Sequence, residues 1–458
     1  MTKPTIGLLP LYIELYDKVV PQRKPQMQEN ADRIAREMDR IGCNVVQAPI
    51  CRLKAEVQQA MDLFQSSKVE AIVTLHLAYS PSLESAEFLA SSNIPLILLD
   101  TTPDYDFNFG ADTSKKIMGN HGIHGVQDLA NLMVRNEKPF IIVAGHWQHS
   151  NVIDEKLKQA IEAARVASKF RNARVGLVGK SFPSMGDFQV PFQKLSDDFG
   201  MEVVSFVDEG LEPSKADVDA EIAADKVRFI TDEVDPEIHK TSVIAGLKLR
   251  KWISDKNLDA FSFCFLDVNR KDGWDTVPFL EASKAMARGT GYAGEGDVLT
   301  ANLVAALMEI YPSTTFTEMF CPDWQNDQVF LSHMGESNID LMIPKPNLLS
   351  KPYIYSDTGA PAVAYGIMRS GNAILVNLAP IQRGNYRLIA CPGQVNAPPK
   401  PEPVSCMKGW FKPKKSLPAF LEAYSELAGT HHSAMVYNAN INVLKNFAKL
   451  MKWDFAEL

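Results

Sequence analysis

The residues of this chain best suited to chemistry are two glutamates and three histidines in its C-terminal half. Glu295 stands in Gly294-Glu295-Gly296-Asp297, Glu318 in Thr317-Glu318-Met319-Phe320 and His333 in Ser332-His333-Met334, and the pair His431-His432 follows Gly429-Thr430. Carboxylates and imidazoles can carry protons and can also ligate a divalent ion through oxygen and nitrogen. Glu295 and His432 are 137 positions apart, so any shared site has to be assembled in three dimensions. The plainer reading of the same residues is a set of loop histidines and solvated carboxylates, with Asp297 capping a helix and Glu295 near its start.

Two glycine-bearing strings invite a nucleotide reading and do not sustain it. Gly176-Leu-Val-Gly179-Lys180-Ser181 follows an apolar run, but a phosphate loop of the form GxxxxGK[ST] needs glycine where Arg174 stands. Gly289-Thr-Gly291-Tyr-Ala-Gly294 matches GxGxxG, yet the dinucleotide fingerprint requires a strand directly before it, and residues 279–288 read as a helix. These glycines are expected to form a tight helix-to-helix connection.

A scaffold has to position the candidates, and the hydropathy pattern outlines it. From residue 5 to 169, strand-length apolar runs at 6–9, 45–48, 71–75, 95–99 and 140–144 alternate with stretches of helical spacing at 26–41, 53–65, 82–91 and 125–135. Continuously apolar strands separated by helices predict a parallel sheet covered on both faces. After a helix over 154–170 the pattern restarts, with strands at 175–178, 203–207 and 260–266 and an amphipathic region at 213–250, which predicts a second α/β domain. From about Pro322 the runs shorten to 329–331, 353–355, 362–365, 373–378 and 386–390, separated by Gly, Pro and Asn turns, and residues 392–403 hold five prolines. The expected organisation is an N-terminal α/β domain over 1–169, a central α/β domain over 170–321 and a β-rich domain over 322–458 that ends in a helix near 442–450.

Composition narrows the function classes. Of 458 residues 46% are hydrophobic and 22% charged, and 47 Lys and Arg against 55 Asp and Glu give a net charge of −8. This is ordinary globular composition, and the acidic excess offers a nucleic-acid backbone no broad attraction. The six cysteines contain no CxxC pair and read as reduced, buried thiols. The first residues lack the basic lead and cleavage site of a signal peptide, and no apolar run nears the ~20 residues that span a bilayer. A cytoplasmic protein with neither a membrane nor a nucleic-acid partner is expected.

The motifs Gly291-Tyr-Ala-Gly-Glu295-Gly-Asp297, Phe316-Thr-Glu318, Ser332-His333-Met334 and Gly429-Thr-His431-His432-Ser433 occur in that order. Asn120-His121-Gly122-Ile123-His124-Gly125, Gly145-His146-Trp147 and Gly409-Trp410-Phe411-Lys412-Pro413 accompany them. Together, through nearly the whole chain, they resemble the L-arabinose isomerase family within the wider arabinose/fucose isomerase group. The resemblance implies two doubly wound parallel-sheet α/β domains followed by a C-terminal β-barrel-like domain, in agreement with the pattern above. It also implies a homo-oligomer, often a hexamer.

Carried over residue by residue, the resemblance implies that Glu295, Glu318, His333 and one histidine of the pair bind a divalent metal, usually Mn²⁺. His432 is the aligned member and His431 the alternative. A mixed oxygen and nitrogen set suits Mn²⁺ or Co²⁺ and does not discriminate against Zn²⁺. Glu295 and Glu318 are expected to double as the acid/base pair of an aldose–ketose isomerase, moving a proton between C2 and C1 of an unphosphorylated open-chain sugar through an enediol. Which glutamate acts first, and whether a hydride shift replaces the proton transfer, stay open.

His124 matches a family position that hydrogen-bonds substrate. His76, at the C-terminal end of an apolar strand where open α/β sheets place ligands, is a second candidate substrate contact. Where family members carry an acidic residue and Tyr after the second glutamate, this chain has Met319 and Phe320, which predicts a shifted preference among L-arabinose, L-fucose and related sugars. The alternative from another class is a non-catalytic sugar-binding α/β protein, which needs no metal. An oxidoreductase resting on the 289–294 glycines is the weakest reading.

Overall fold

Central parallel strands are apolar along their length because helices cover both faces of their sheet. The computed structural model describes residues 3–107, 113–210, 212–398 and 406–458. The chain divides into two compact units, Met1–Ser168 with Asn440–Lys452 and Lys169–Ala439 with Trp453–Leu458.

In the first unit β1 (Thr5–Leu11), β2 (Asn44–Gln47), β3 (Ala71–His76), β4 (Leu96–Asp100) and β5 (Phe140–Ala144) form a parallel sheet in the order β2-β1-β3-β4-β5. Every residue of β3 is buried. The helix Lys24–Arg40 turns Met27, Ala31, Ile34 and Met38 inward at helical spacing. Val57, Ala60 and Phe64 from the helix Lys54–Ser66, and Val126, Leu129 and Met133 from Gly122–Arg135, share a core with Leu9, Ile72, Leu96 and Leu98. The helix Ile441–Met451 belongs to this unit despite its distance along the chain. It buries Val443, Leu444, Phe447 and Ala448.

The second unit opens with a parallel sheet of β6 (Arg174–Val178), β7 (Glu202–Ser205), β8 (Ala260–Phe263) and β9 (Gly291–Gly294), in the order β7-β6-β8-β9. Next come β10 (Thr314–Asp323), β11 (Gln328–Ser332), β12 (Asn347–Ser350), β13 (Ala362–Tyr365), β14 (Gly371–Pro380), β15 (Tyr386–Asn396), β16 (Gly409–Pro413), β17 (His432–Tyr437) and β18 (Asp454–Glu457). Strands β14, β17, β10, β11, β16 and β15 pair antiparallel in that order, and β15 pairs back onto β14, so the sheet closes into a barrel. β18 runs parallel to β15, while β12 and β13 pair separately. The architecture is thus two parallel-sheet α/β arrangements followed by a C-terminal antiparallel barrel.

The helix Val298–Met308 is buried at every position. It packs against β8 and β9 and also against β10, β14 and β17, which explains an apolar composition without a polar face.

Three readings from sequence need correction. Gly291–Gly294 is a strand, not a helix-to-helix connection. It pairs with β8 from Ala260–Gly291 to Phe263–Gly294, and a Cβ at Gly291 would lie 2.3 Å from the Ala301 carbonyl oxygen. Glycine carries no β propensity, so the strand leaves no local signal. Residues 353–355 are not a strand; the Tyr353 hydroxyl donates to the Phe265 carbonyl at 2.9 Å in an irregular segment. The thiols are not uniformly buried, because Cys321 is exposed on β10. Of the proline-rich residues 392–403, those after 398 lie outside the described residues. Among the described residues no helix is long and apolar enough to cross a membrane.

Candidate metal centre

Strand register assembles the C-terminal candidates. Glu318 on β10 stands opposite His432 on β17 and, on its other side, opposite Ser332 of β11, the residue before His333. Directly opposed side chains in an antiparallel pair share a face.

Glu295 arrives from the α/β sheet. β9 ends at Gly294, and Glu295 and Gly296 then take φ of 63° and 79°. A non-glycine residue in this region costs about 1–3 kcal/mol and persists only where the surroundings enforce it. Here the Phe182 N–H donates to the Glu295 carbonyl at 2.9 Å, and Ser181 Oγ donates to the Gly296 carbonyl at 3.0 Å. Asp297 then caps the helix Val298–Met308, its Oδ1 accepting from the Thr300 N–H at 2.9 Å. Gly294 has to be glycine, since a Cβ there would lie 2.6 Å from Cε1 of His333.

One ligand atom from each of Glu295, His333 and His432 lies within 4.8 Å of the other two. Glu295 Oε2 is 3.4 Å from His432 Nε2, and Glu318 Oε2 is 3.8 Å from His333 Nε2, so Glu318 stands beside the triad. Both imidazoles spend Nδ1 on a buried carboxylate, His333 on Glu336 Oε2 at 2.8 Å and His432 on Asp297 Oδ2 at 3.0 Å. Phe316 meets both rings edge-on at 4.9 and 5.0 Å, and Phe188 stacks on His432 at 5.1 Å. Among the described residues, the buried Glu295 Oε2 and His432 Nε2 have no hydrogen-bond partner. Buried polar atoms left unpaired call for an explanation, and a cation between them would satisfy both. The donor set fits Mn²⁺, Co²⁺ or Zn²⁺.

The two glutamates differ electrostatically. Burial pushes the Glu295 carboxyl up, but His431 and His432 more than offset this and hold it at about 2. Burial raises Glu318 above the ordinary glutamate value, with His333 only partly opposing it.

His431 lies outside the triad. Asp187 Oδ2 accepts from its backbone N–H at 2.9 Å and is 2.6 Å from its Nδ1, while its Nε2 is 3.5 Å from Glu295 Oε2. Desolvation works against its protonation, but Asp187 and Glu295 raise its pKa to about 10.

His76 and His124 belong to the first unit. The buried His76 has Nδ1 2.7 Å from Ser80 Oγ and Nε2 3.3 Å from Thr74 Oγ1. Burial depresses its pKa to about 3, so it is a neutral ring with both nitrogens engaged. His124 is exposed in the first turn of Gly122–Arg135, 5.6 Å from the His121 ring. Nearby at a strand end, His146 Nδ1 accepts from the backbone of Gln148 and His149, both at 3.2 Å, and Arg33 lies over the Trp147 ring at 5.1 Å.

Little in the sequence points to Glu336, Asp187 or Phe188. His333 and Glu336 sit three residues apart, a spacing that places them within reach of each other, but Asp187 and Phe188 lie in a loop with no distinguishing pattern.

Residues 203–312 match the family model described as the L-arabinose isomerase central domain, and residues 313–454 the L-arabinose isomerase C-terminal domain. The L-arabinose isomerase of Shewanella baltica is 24% identical over 455 residues, covering 94% of this chain and 89% of that protein. That of Shouchella clausii is 23% identical over 471 residues, covering 97% and 92%. That of Leuconostoc mesenteroides is 24% identical over 469 residues, covering 96% of each. A solved periplasmic sugar-binding protein from Legionella pneumophila overlaps 68% of this chain and 96% of its own at 11% identity, with a TM-score of 0.16.

Proposed function

Because the chain belongs to the L-arabinose isomerase family, we propose that it is a metal-dependent isomerase interconverting an unphosphorylated aldose, of the L-arabinose or L-fucose kind, with its ketose through an enediol. The observation that carries this reading is the convergence of Glu295, His333 and His432, with Glu318 beside them and two buried ligand atoms unpaired.

In the open-chain aldose, C2 gives its proton to a carboxylate, the C2–H electron pair forms the C1=C2 bond, and O1 takes up a proton. In the return step the O2 hydroxyl loses its proton, the C2=O bond forms and C1 takes a proton. Glu295 and Glu318 carry these protons. The imidazoles beside Glu295 keep it ionised, whereas burial raises Glu318 above the ordinary glutamate value. Glu295, Glu318, His333 and His432 would hold a divalent ion, taken to be Mn²⁺, which would supply Lewis-acid stabilisation of the negative charge developing on the sugar oxygens. His124 is retained as a substrate contact, while the engaged ring of His76 suits a structural part better. Family membership also supports a homo-oligomer acting in the cytoplasm.

The test is a ketose-formation assay with Mn²⁺ over a panel of unphosphorylated aldoses, run beside an EDTA-treated control. Product from at least one sugar, abolished by EDTA, is expected. No product from any sugar would overturn the reading.

A further inference from the structure

The two imidazoles of the centre are gripped from behind in the same way, by carboxylates that no part of the proposed reaction uses. We propose that Asp297 and Glu336 are positioning residues that hold His432 and His333 as the tautomer protonated on Nδ1, so that each Nε2 lone pair faces a divalent ion. The inference rests on the metal-dependent reading above.

A carboxylate accepts and cannot donate, so a neutral imidazole held against it carries its hydrogen on the nitrogen that faces it. Neither carboxylate has freedom to turn away. Asp297 Oδ1 is occupied by the Thr300 N–H at 2.9 Å while Oδ2 meets His432 Nδ1 at 3.0 Å. Glu336 Oε1 accepts the Tyr292 hydroxyl at 2.6 Å while Oε2 meets His333 Nδ1 at 2.8 Å. Asp297, Glu336 and Tyr292 are all buried, so water does not compete. Phe316, edge-on to both rings, and Phe188, stacked on His432, oppose the ring flips that would exchange the two nitrogens. Outer carboxylates of this kind fix ring orientation and raise ligand basicity.

Asp297→Asn probes the arrangement with almost no change of shape. An amide offers one acceptor and one donor, so it cannot accept from both the Thr300 N–H and His432 Nδ1–H. Glu336→Gln makes the same change behind His333, and Tyr292→Phe frees the Glu336 carboxylate without touching the imidazole. Metal-free wild type and variants are titrated calorimetrically with Mn²⁺, and their unfolding temperatures are measured without metal. The expected result is a Kd for Mn²⁺ weakened about 10–100-fold in Asp297→Asn and Glu336→Gln, with a smaller loss in Tyr292→Phe. Affinity within twofold of wild type in both carboxylate variants, with only the unfolding temperature lowered, would make these residues structural and overturn the proposal. If Asp297→Asn does not fold, Glu336→Gln decides alone. A wild type that takes up no Mn²⁺ removes the metal-dependent reading itself, whereas normal wild-type binding with unaltered variants removes only the positioning role.

Discussion

Glu318 on β10 is the direct cross-strand neighbour of His432 on β17. A slip of one residue in that pairing would bring His431 opposite Glu318 and turn β17's side chains to the other face. The register is pinned on two sides, since β17 pairs with β14 as well as β10, and every residue of β17 is buried. Barrel closure therefore selects His432 for the triad and leaves His431 to Asp187.

Replacement of either glutamate tests the acid/base assignment. Glu295→Gln and Glu318→Gln are each expected to lower kcat by about 10²–10⁴-fold, with an unaltered far-ultraviolet circular dichroism spectrum. A kcat near that of wild type in either variant would place the proton transfer elsewhere.

Gly294→Ala forces a Cβ to within 2.6 Å of the His333 ring. The backbone at Gly294 is buried in β9, so the imidazole has to move. Overpacking should cost about 1–3 kcal/mol, read as a lower midpoint in denaturant titration, and Mn²⁺ should bind more weakly in calorimetry. A variant with wild-type affinity would show that His333 is not held by this contact.

Mn²⁺ should stabilise the folded chain. At a free concentration about 100 times its Kd, binding to the native state alone adds about 2.7 kcal/mol, visible as a rise in unfolding temperature that EDTA reverses. Identical melting curves with Mn²⁺ and with EDTA would count against a built site.

Acid should weaken the second unit through Glu221. Burial pushes this carboxyl up, but hydrogen bonds from Arg250 and Lys284 outweigh it and hold the pKa at about 2. The unfolded chain, with an ordinary glutamate near 4.3, binds that proton first as pH falls. The contribution, up to about 3 kcal/mol, is therefore complete above about pH 5 and is lost towards pH 2. Denaturant titrations of wild type and Glu221→Gln should differ most at pH 6, and the gap should shrink steadily towards pH 2. A gap that stays constant over this range would contradict the ion-pair account.

Much of the scaffold was legible because burial on both faces leaves runs of apolar residues. β3 and β4 declare themselves in this way, and the helix Lys24–Arg40 does so through Met27, Ala31, Ile34 and Met38. β9 left no such trace, because its glycines answer to the close approach of the Val298–Met308 helix and the His333 ring rather than to strand propensity. β10 and β17 were equally hidden, since Thr314, Thr315 and Thr317 on one and His432 and Ser433 on the other are polar residues buried by barrel closure. Glu295, Glu318, His333 and His432 could be named from motifs, but their convergence depends on register. Asp187 and Phe188 reach the site from a distant loop, a relationship that no spacing along the chain encodes.

The most direct test of the central claim is ketose formation by metal-stripped protein as Mn²⁺ is added back, with bound metal measured in the same samples. Activity should start at background, rise in proportion to occupancy and saturate at one Mn²⁺ per chain, with Glu295→Gln remaining inactive throughout. Full activity in the stripped protein, or saturating metal with no ketose from any aldose, would contradict it.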